Sequence, residues 1–455
     1  MTDRTQVAVI GAGIAGLAAA FRLLELGSAV TVLESAERVG GRIGATTIDG
    51  VRVPTAADNF LVRSPQVADL ARTLGLGDQL VAPAAGEARI ARDGGLAPLP
   101  PTLLGIPIDF DALGRSGLIS PDGLARARED LTRPDDRPEQ DESVGSLVRR
   151  RLGDEVLEYL VDPLLGGINA GDSDRLSVEA GVPQVATARS LDPSIVEGAR
   201  QLKARSLDPD APVFQTVRGG IERLVDELAA HIVDHPHGDL RLGADAGPVV
   251  AGADGWEVSG NDADRVVVAT PTSVAADIVR AAAPRSAALL DRIEYSSVAL
   301  VLLVIPPGSI PVPRRVSGVL VPRLEGHHIT AVSFASHKWP DLTIGGCDVL
   351  RVSVGRRTDD RWRNLDDDAL VAVVLDDLHT VLGVTLEPRQ AVVTRWMHSL
   401  PQYDVGHAER IDEIESQLAD EAPGICLAGA GLRGLGLPAC VQSGFDAAEA
   451  VAGVT

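Results

Sequence analysis

Residues 7–34 read VAVIGAGIAGLAAAFRLLELGSAVTVLE, and the fold class follows from this stretch. Residues 7–10 are a short apolar run suited to a buried parallel strand, followed by a helical pattern. Gly11, Gly13 and Gly16 stand as GxGxxG at the strand-to-helix turn. Gly11 permits the turn, Gly13 lets the backbone approach a pyrophosphate, and Gly16 lets the helix pack on the sheet. Ile14 and Ala15 fall in the first helical turn, where free N–H groups and a partial positive charge favour phosphate. Leu17, Phe21 and Leu24 recur at helical spacing, and Gly27 sits where a C-terminal cap is expected. A second apolar run, 29–33, ends in Glu34 and Ser35, roughly 20 residues past the glycines, where a carboxylate binds ribose hydroxyls and disfavours a 2′-phosphate. GxGxxG alone is a weak signal that any glycine-rich turn can produce. Strand, glycines, helix, second strand and acid together predict a Rossmann-like dinucleotide site.

Just downstream lies Arg38-Val39-Gly40-Gly41-Arg42, which resembles the RxGGR stretch of the flavoprotein group that includes amine oxidases, phytoene desaturases and porphyrinogen oxidases. The resemblance implies FAD rather than NAD, with Arg38 and Gly41 close to the cofactor and Arg42 near its pyrophosphate. At the other end, residues 425–451 read ICLAGAGLRGLGLPACVQSGFDAAEAV, similar to the flavin end of the same site. Here Gly429, Gly436, Leu437, Pro438 and Val441 are the expected contacts. A helix opening at Pro438 directs its dipole at negative charge on reduced flavin. A cofactor held by both termini implies one folded enzyme rather than a string of modules.

Composition narrows the partners. A formal charge of -22 and a pI near 4.8 argue against nucleic acid and against an anionic membrane surface, and an anionic substrate then needs a local arginine cluster. Lys203 and Lys338 are the only lysines, so arginine carries nearly all the positive charge. Guanidinium suits bidentate carboxylate binding, while a GC-rich genome explains the bias equally well. Cys347, Cys426 and Cys440 are widely separated and odd in number, which fits a reducing cytoplasm and offers no metal spacing. The apolar start contains the phosphate glycines and lacks a basic n-region, so it is not read as a signal peptide. No run of about 20 apolar residues predicts a membrane span. The expected location is the cytoplasm, with peripheral contact at a membrane left open.

The chain divides into three expected regions within an α/β (α+β overall) fold. A two-dinucleotide-fold FAD domain takes 1–57, 213–272 and 385–455. A β-sheet substrate domain takes 58–97 and 273–384, and a helical insertion takes 98–212. Within the insertion, residues 133–142 (RPDDRPEQDE) read as a solvated loop. Ser143 caps a helix with Val144, Leu147, Val148 and Leu152 on one face, and 191–212 reads as a stretch of reduced order. The HPH of His235 to His237 reads as a solvated turn rather than a metal fragment.

Motifs along the chain sharpen the resemblance. They include Asp162-Pro163-Leu164-Leu165-Gly166-Gly167-Ile168-Asn169-Ala170-Gly171-Asp172, Ser336-His337-Lys338-Trp339-Pro340, Arg395-Trp396, Leu400-Pro401-Gln402-Tyr403, Gly406-His407 and Gly434-Leu435-Gly436-Leu437-Pro438-Ala439-Cys440. These resemble, in order and over nearly the whole chain, the FAD-dependent coproporphyrinogen III and protoporphyrinogen IX oxidases of haem synthesis, the soluble Gram-positive, actinobacterial kind above all. The resemblance implies noncovalent FAD, Cys440 notwithstanding, with further cofactor contacts at Ala56, Ala57, Asp58, Val249, Ala269, Thr270 and Trp396. It implies substrate contacts among Arg63, Asn169, Lys338, Arg395, Gln402, Tyr403 and His407, for each of which a packing or surface role is an equal alternative. The implied reaction takes coproporphyrinogen III to coproporphyrin III by loss of six electrons to O2, releasing hydrogen peroxide, with the flavin rather than a side chain as the reacting group and no metal. Transient contact with other haem-synthesis enzymes is a further expectation, and the choice between monomer and dimer stays open. So do protoporphyrinogen IX, an amine or a polyene as substrate, and a non-catalytic FAD or tetrapyrrole-binding role. The chain departs from the family at Thr55-Ala56-Ala57-Asp58, where Gly then Pro or Ala is usual. Asn169 stands in place of a tyrosine, and Leu432-Arg433 replaces a more aromatic pair.

Overall fold

The computed structural model describes residues 4–205, 212–253 and 255–453. Strand β1 (Gln6–Ile10), helix α1 (Ile14–Glu25) and strand β2 (Ala29–Leu33) form where the first motif predicts them. They belong to a parallel sheet ordered Gly238–Arg241, β2, β1, Arg265–Val268, Ile425–Leu427. The first and last strands of this sheet in sequence therefore flank the same strand, Arg265–Val268. Successive side chains of a strand point to opposite faces, and both faces here are covered. Val7 and Val9 enter the apolar cluster with α1 and the helix Leu437–Ala452, while Ala8 and Ile10 enter the cluster with helices Thr272–Val279 and His407–Glu421. Burial on both sides is why β1 reads as a continuous apolar run instead of an alternating one.

Ten of the 12 residues of α1 are buried, so the helix must be covered on every side. The sheet takes one side, and helices Glu222–Asp234 and Leu437–Ala452 take the others. Close approach to the last helix depends on small residues. A side chain at Gly444 would overlap the Ala15 carbonyl oxygen, and one at Gly16 would overlap that of Gly11.

A second, mainly antiparallel sheet of seven strands is ordered Gln390–Pro401, Tyr295–Ile305, Asp348–Val354, Ile329–Phe334, Val316–Leu320, Glu87–Arg92, Gly95–Pro98. Along Tyr295–Ile305, Val301, Leu303 and Ile305 face the cluster under helix Asp367–Leu382, and Leu300, Leu302 and Val304 face the hairpin of Ala45–Ile48 and Val51–Pro54. The strand Gln390–Pro401, within the 385–455 segment expected in the FAD domain, pairs with Tyr295–Ile305 in this sheet. The 12-residue strand pairs antiparallel along most of the 11-residue Tyr295–Ile305, from Gln390 opposite Val304 to Pro401 opposite Tyr295.

Between Phe110 and Ala204 the chain is helical around its own apolar cluster. Ser143 caps the helix Val144–Leu152 through Ser146 N–H. The expectation of reduced order over 191–212 is corrected for most of its length. Ile195–Ala204 is a helix capped by Ser194, whose hydroxyl accepts from Glu197 N–H and donates to the buried Asp130 carboxylate at 2.6 Å. Residues 206–211 of that stretch lie outside the described residues.

Candidate active site

The nucleotide end is built by contacts among backbone segments. Gly11 has φ +101°, a conformation open to glycine, and a Cβ there would stand 2.8 Å from the Ala269 carbonyl oxygen and 3.3 Å from the Thr270 methyl. Gly11, Ala269 and Thr270 thus meet at the carboxyl ends of adjacent parallel strands, where such sheets bind ligands. A Cβ at Gly13, in contrast, would meet nothing within 4 Å, which leaves open space over the first turn of α1. Glu34 Oε2 accepts from Ala12 N–H at 2.7 Å and Oε1 from Ala36 N–H at 2.9 Å, which fixes the acid at the tip of β2. Val249 is buried beside Ile10, Leu33 and Val268.

The Arg38 to Gly44 loop folds over the glycines: Gly40 N–H donates to Ala12 carbonyl at 2.8 Å, and a Cβ at Gly41 would lie 3.3 Å from Gly13 Cα. Arg38 is spent on this loop, donating to the carbonyls of Val39, Gly41 and Ile43. Arg42 is half-buried with no hydrogen-bond or ion-pair partner among the described residues, and its charge reaches Tyr403 and Cys440. A half-buried guanidinium without an acid is incomplete chemistry that a phosphate completes.

At the other end, Gly429 (φ +116°) opens a glycine loop that ends at Gly436, the N-cap of the helix Leu437–Ala452. No side chain caps this helix, and Pro438 at its second position has no N–H, so the Leu437 and Ala439 N–H groups remain for a ligand. The loop is held from beneath. Tyr403 is buried; its hydroxyl donates to Ala430 carbonyl at 2.5 Å and accepts from Gly434 N–H at 2.8 Å. His407 stacks on Tyr403 at 4.2 Å between centroids, and its Nε2–H donates to Leu432 carbonyl at 2.7 Å. Burial pushes the Tyr403 phenol above its usual range and His407 below its own, so both are neutral. Ser443 hydroxyl accepts from Gly429 N–H at 2.9 Å. Cys440 is buried and its thiol is pushed up to about 11 by burial, which leaves it protonated and a poor nucleophile.

Between these ends lies the 55–58 turn. Trp396 Nε1–H donates to Thr55 carbonyl at 2.7 Å, and Arg351 donates to Ala56 carbonyl. Asp58 is buried between Lys338 Nζ at 2.9 Å and Arg351 Nη1 at 2.7 Å, with Trp339 Nε1–H at 3.3 Å. Burial raises an acid, but here the two cations and the hydrogen bonds win and hold the Asp58 carboxyl far below the usual carboxylate range.

The residues expected to touch substrate do not form one group. Lys338 is held by Asp58. Tyr403 and His407 support the glycine loop, with the Tyr403 hydroxyl and His407 Nε2–H engaged there. Arg395 is drawn away, donating to Asp367 and to the Leu365 carbonyl on the side of helix Asp367–Leu382. Asn169 and Gln402 are buried together: Gln402 Nε2–H donates to Asn169 carbonyl at 3.0 Å, and Asn169 Oδ1 accepts from Gly171 N–H at 3.0 Å. Arg63 is exposed, has no acidic partner among the described residues and reaches Gln184 of the helix Pro183–Leu191; partial burial lowers its pKa. Arg351, Ser443 and Tyr295, whose hydroxyl accepts from Thr272 N–H at 3.0 Å, are missing from the sequence expectations. Arg351 carries a legible signal, a charge interrupting the apolar strand DVLRVSV. Among the described residues no cluster of His, Cys, Asp or Glu could hold a metal.

A Rossmann cradle at one end, an uncapped helix over a glycine loop at the other and an unpaired arginine between them define a dinucleotide-dependent oxidoreductase. The chain belongs to the flavin-containing amine oxidoreductase family, whose pattern covers residues 14–452, and within it to the porphyrinogen oxidase branch. It is 33% identical to the coproporphyrinogen III oxidase of Bacillus subtilis over 470 positions, 98% of this chain and 97% of that one. It is 34% identical to the enzyme of the same name from Mycobacterium tuberculosis H37Rv, covering 99% and 98%. A crystal structure from Exiguobacterium sp. 255-15, provisionally named a protoporphyrinogen oxidase, superposes over the full length of both chains with a TM-score of 0.88 at 31% identity. Family membership makes a flavin the cofactor.

Proposed function

We propose that this chain is a coproporphyrinogen III oxidase of haem synthesis that binds FAD noncovalently and returns electrons to O2. The observation that carries the reading is full-length identity to several coproporphyrinogen III oxidases at 30–34% from Gram-positive and actinobacterial sources, on a chain that has both ends of an FAD site. The residues fit the group: open space over Gly13, the partnerless Arg42 and the free N–H groups at Leu437 and Ala439 suit a pyrophosphate and an anionic isoalloxazine edge. FAD supplies a two-electron hydride acceptor, so aromatising a porphyrinogen takes three turnovers, each closed by O2 with release of hydrogen peroxide.

This chain's own part is positioning. Gly11, Gly13, Ile14, Ala15 and Gly16 present backbone to the pyrophosphate, and Glu34 with Ser35 takes the ribose. Arg42, with the loop braced by Arg38 and Gly41, neutralises phosphate charge. Ala56, Ala57, Asp58, Val249, Ala269, Thr270 and Trp396 would surround the cofactor, and Gly429, Gly436, Leu437, Pro438 and Val441 would hold its flavin end. Such chemistry requires alignment and exclusion of water more than a strong base. Arg63 and the Asn169–Gln402 pair are the proposed substrate contacts, with Arg63 suited to a propionate by charge. The FAD domain is proposed as 1–57, 213–272 and 385–455, with its strand Gln390–Pro401 reaching into the seven-stranded sheet, the substrate domain as 58–97 and 273–384, and 98–212 as the helical insertion. No helix among the described residues is long and apolar enough to cross a membrane; the cytoplasm is the proposed location.

The test is aerobic oxidation of coproporphyrinogen III and protoporphyrinogen IX, side by side, by the FAD-loaded protein, following porphyrin fluorescence and peroxide. Faster conversion of the first supports the proposal; faster conversion of the second reassigns the substrate.

A further inference from the structure

We propose that Lys338, Asp58 and Arg351 form a buried electrostatic element that leaves one net positive charge against the 55–58 turn and so favours the reduced, anionic state of the flavin; this rests on the FAD reading above. Asp58 and Arg351 are 9% and 7% exposed, and the Lys338 side chain is 15% exposed. Two cations share one carboxylate, at 2.9 Å from Lys338 and 2.7 Å from Arg351, and among the described residues neither has a second acid. Arg351 is under-satisfied as well, with its Nε buried and without a partner. An excess charge of this kind acts strongly on a nearby ligand because little water screens it.

Location gives the charge its target. Thr55 bonds through both its N–H and its hydroxyl to Gly44 carbonyl, at 2.9 and 3.1 Å, at the end of the arginine-glycine loop. Trp396 holds the Thr55 carbonyl, and Phe60 shares an apolar cluster with Leu437, Cys440 and Val441 at the start of the last helix. The turn therefore joins three segments assigned to the cofactor, and charge beside a flavin ring sets its electronics. The choice of lysine points the same way. Of 42 basic residues only two are lysine; Lys203 is exposed, and Lys338 is the one drawn into the interior.

The experiment is a dye-coupled measurement of the flavin midpoint potential in FAD-loaded wild type, Lys338→Met, Lys338→Arg and Asp58→Asn, with thermal melts alongside. Lys338→Met cancels the net charge and should weaken the preference for reduced flavin about tenfold, close to 30 mV for a two-electron couple. Asp58→Asn leaves two uncompensated cations and should move the potential the opposite way; Lys338→Arg should stay near wild type. If Asp58→Asn does not fold, the Met and Arg variants at position 338 carry the comparison. Unchanged potentials, or shifts of one sign that follow melting temperature, overturn the proposal in favour of packing alone. A wild-type chain that takes up no FAD overturns the cofactor reading itself.

Discussion

At the scale of single residues, the sharpest constraints are those where an atom is missing or unmatched. Gly444 and Gly16 sit where added carbon would overlap a carbonyl oxygen. Gly444→Val should therefore separate α1 from the last helix, with a loss of about 1–3 kcal/mol by analogy with overpacked cores and a matching loss of FAD retention, read by chemical denaturation and by absorbance after gel filtration. Glu222 is 3% exposed with both carboxylate oxygens buried and without a hydrogen-bond partner among the described residues, and Arg52 stands at 3.4 Å. Burial pushes its pKa up, so its contribution is fully present at low pH and is lost as pH rises through the folded value. Glu222→Gln should then stabilise the protein at alkaline pH and do little in acid; a melt that shows the same change at both ends would refute this. Legibility at this scale was uneven. Gly11, Gly16 and Glu34 announce themselves by spacing, because backbone approach tolerates few residues. Tyr403 and His407 were legible as special but not as supports, since whether a polar group faces a ligand or a loop depends on tertiary packing alone.

At the scale of elements, the glycine loop between Ile425–Leu427 and the last helix is the piece whose shape depends most on others. Removing the Tyr403 hydroxyl by Tyr403→Phe unpairs Ala430 carbonyl and Gly434 N–H together, at a cost of about 1–3 kcal/mol. We expect weaker FAD affinity and a broadened flavin spectrum with the fold intact; an unaltered spectrum and affinity would show that the loop keeps its shape unaided. His407 adds a pH dependence. Its folded pKa is depressed by burial, so the stability it confers is present above the ordinary histidine range and is lost as pH falls through the folded value. Acidification should loosen FAD before the whole protein unfolds, and His407→Gln should flatten that response. Helices and strands of strong period were readable: α1, Leu437–Ala452 and Tyr295–Ile305 follow their apolar patterns. The helix Ile195–Ala204 was missed because its support comes from Asp130, 64 residues away from Ser194, and not from its own sequence. The pairing of Gln390–Pro401 with Tyr295–Ile305 is not legible in the sequence, because strand partners are invisible to local pattern.

For the whole molecule, the parallel sheet brings the first and last strands of the chain to either side of Arg265–Val268, and the two ends of the proposed cofactor site come with them. Binding that spans both ends should stabilise the fold as a unit. At 100 times its dissociation constant FAD should add about 2.7 kcal/mol to unfolding, measured as a single shifted transition rather than partial protection. The pairing of the two terminal motifs was the most legible global feature, because each is half of one ligand's requirements; the substrate side was the least, because the proposed contacts Arg63, Asn169 and Gln402 lie far apart in sequence and depend on side-chain direction. The central claim is that coproporphyrinogen III gives its electrons to a flavin held between these ends. It is tested most directly by anaerobic titration of the FAD-loaded protein with coproporphyrinogen III, following the oxidised flavin absorbance. The account predicts that each substrate molecule bleaches three flavins as coproporphyrin fluorescence appears. Flavin that stays oxidised with excess porphyrinogen, yet bleaches with dithionite, would contradict it.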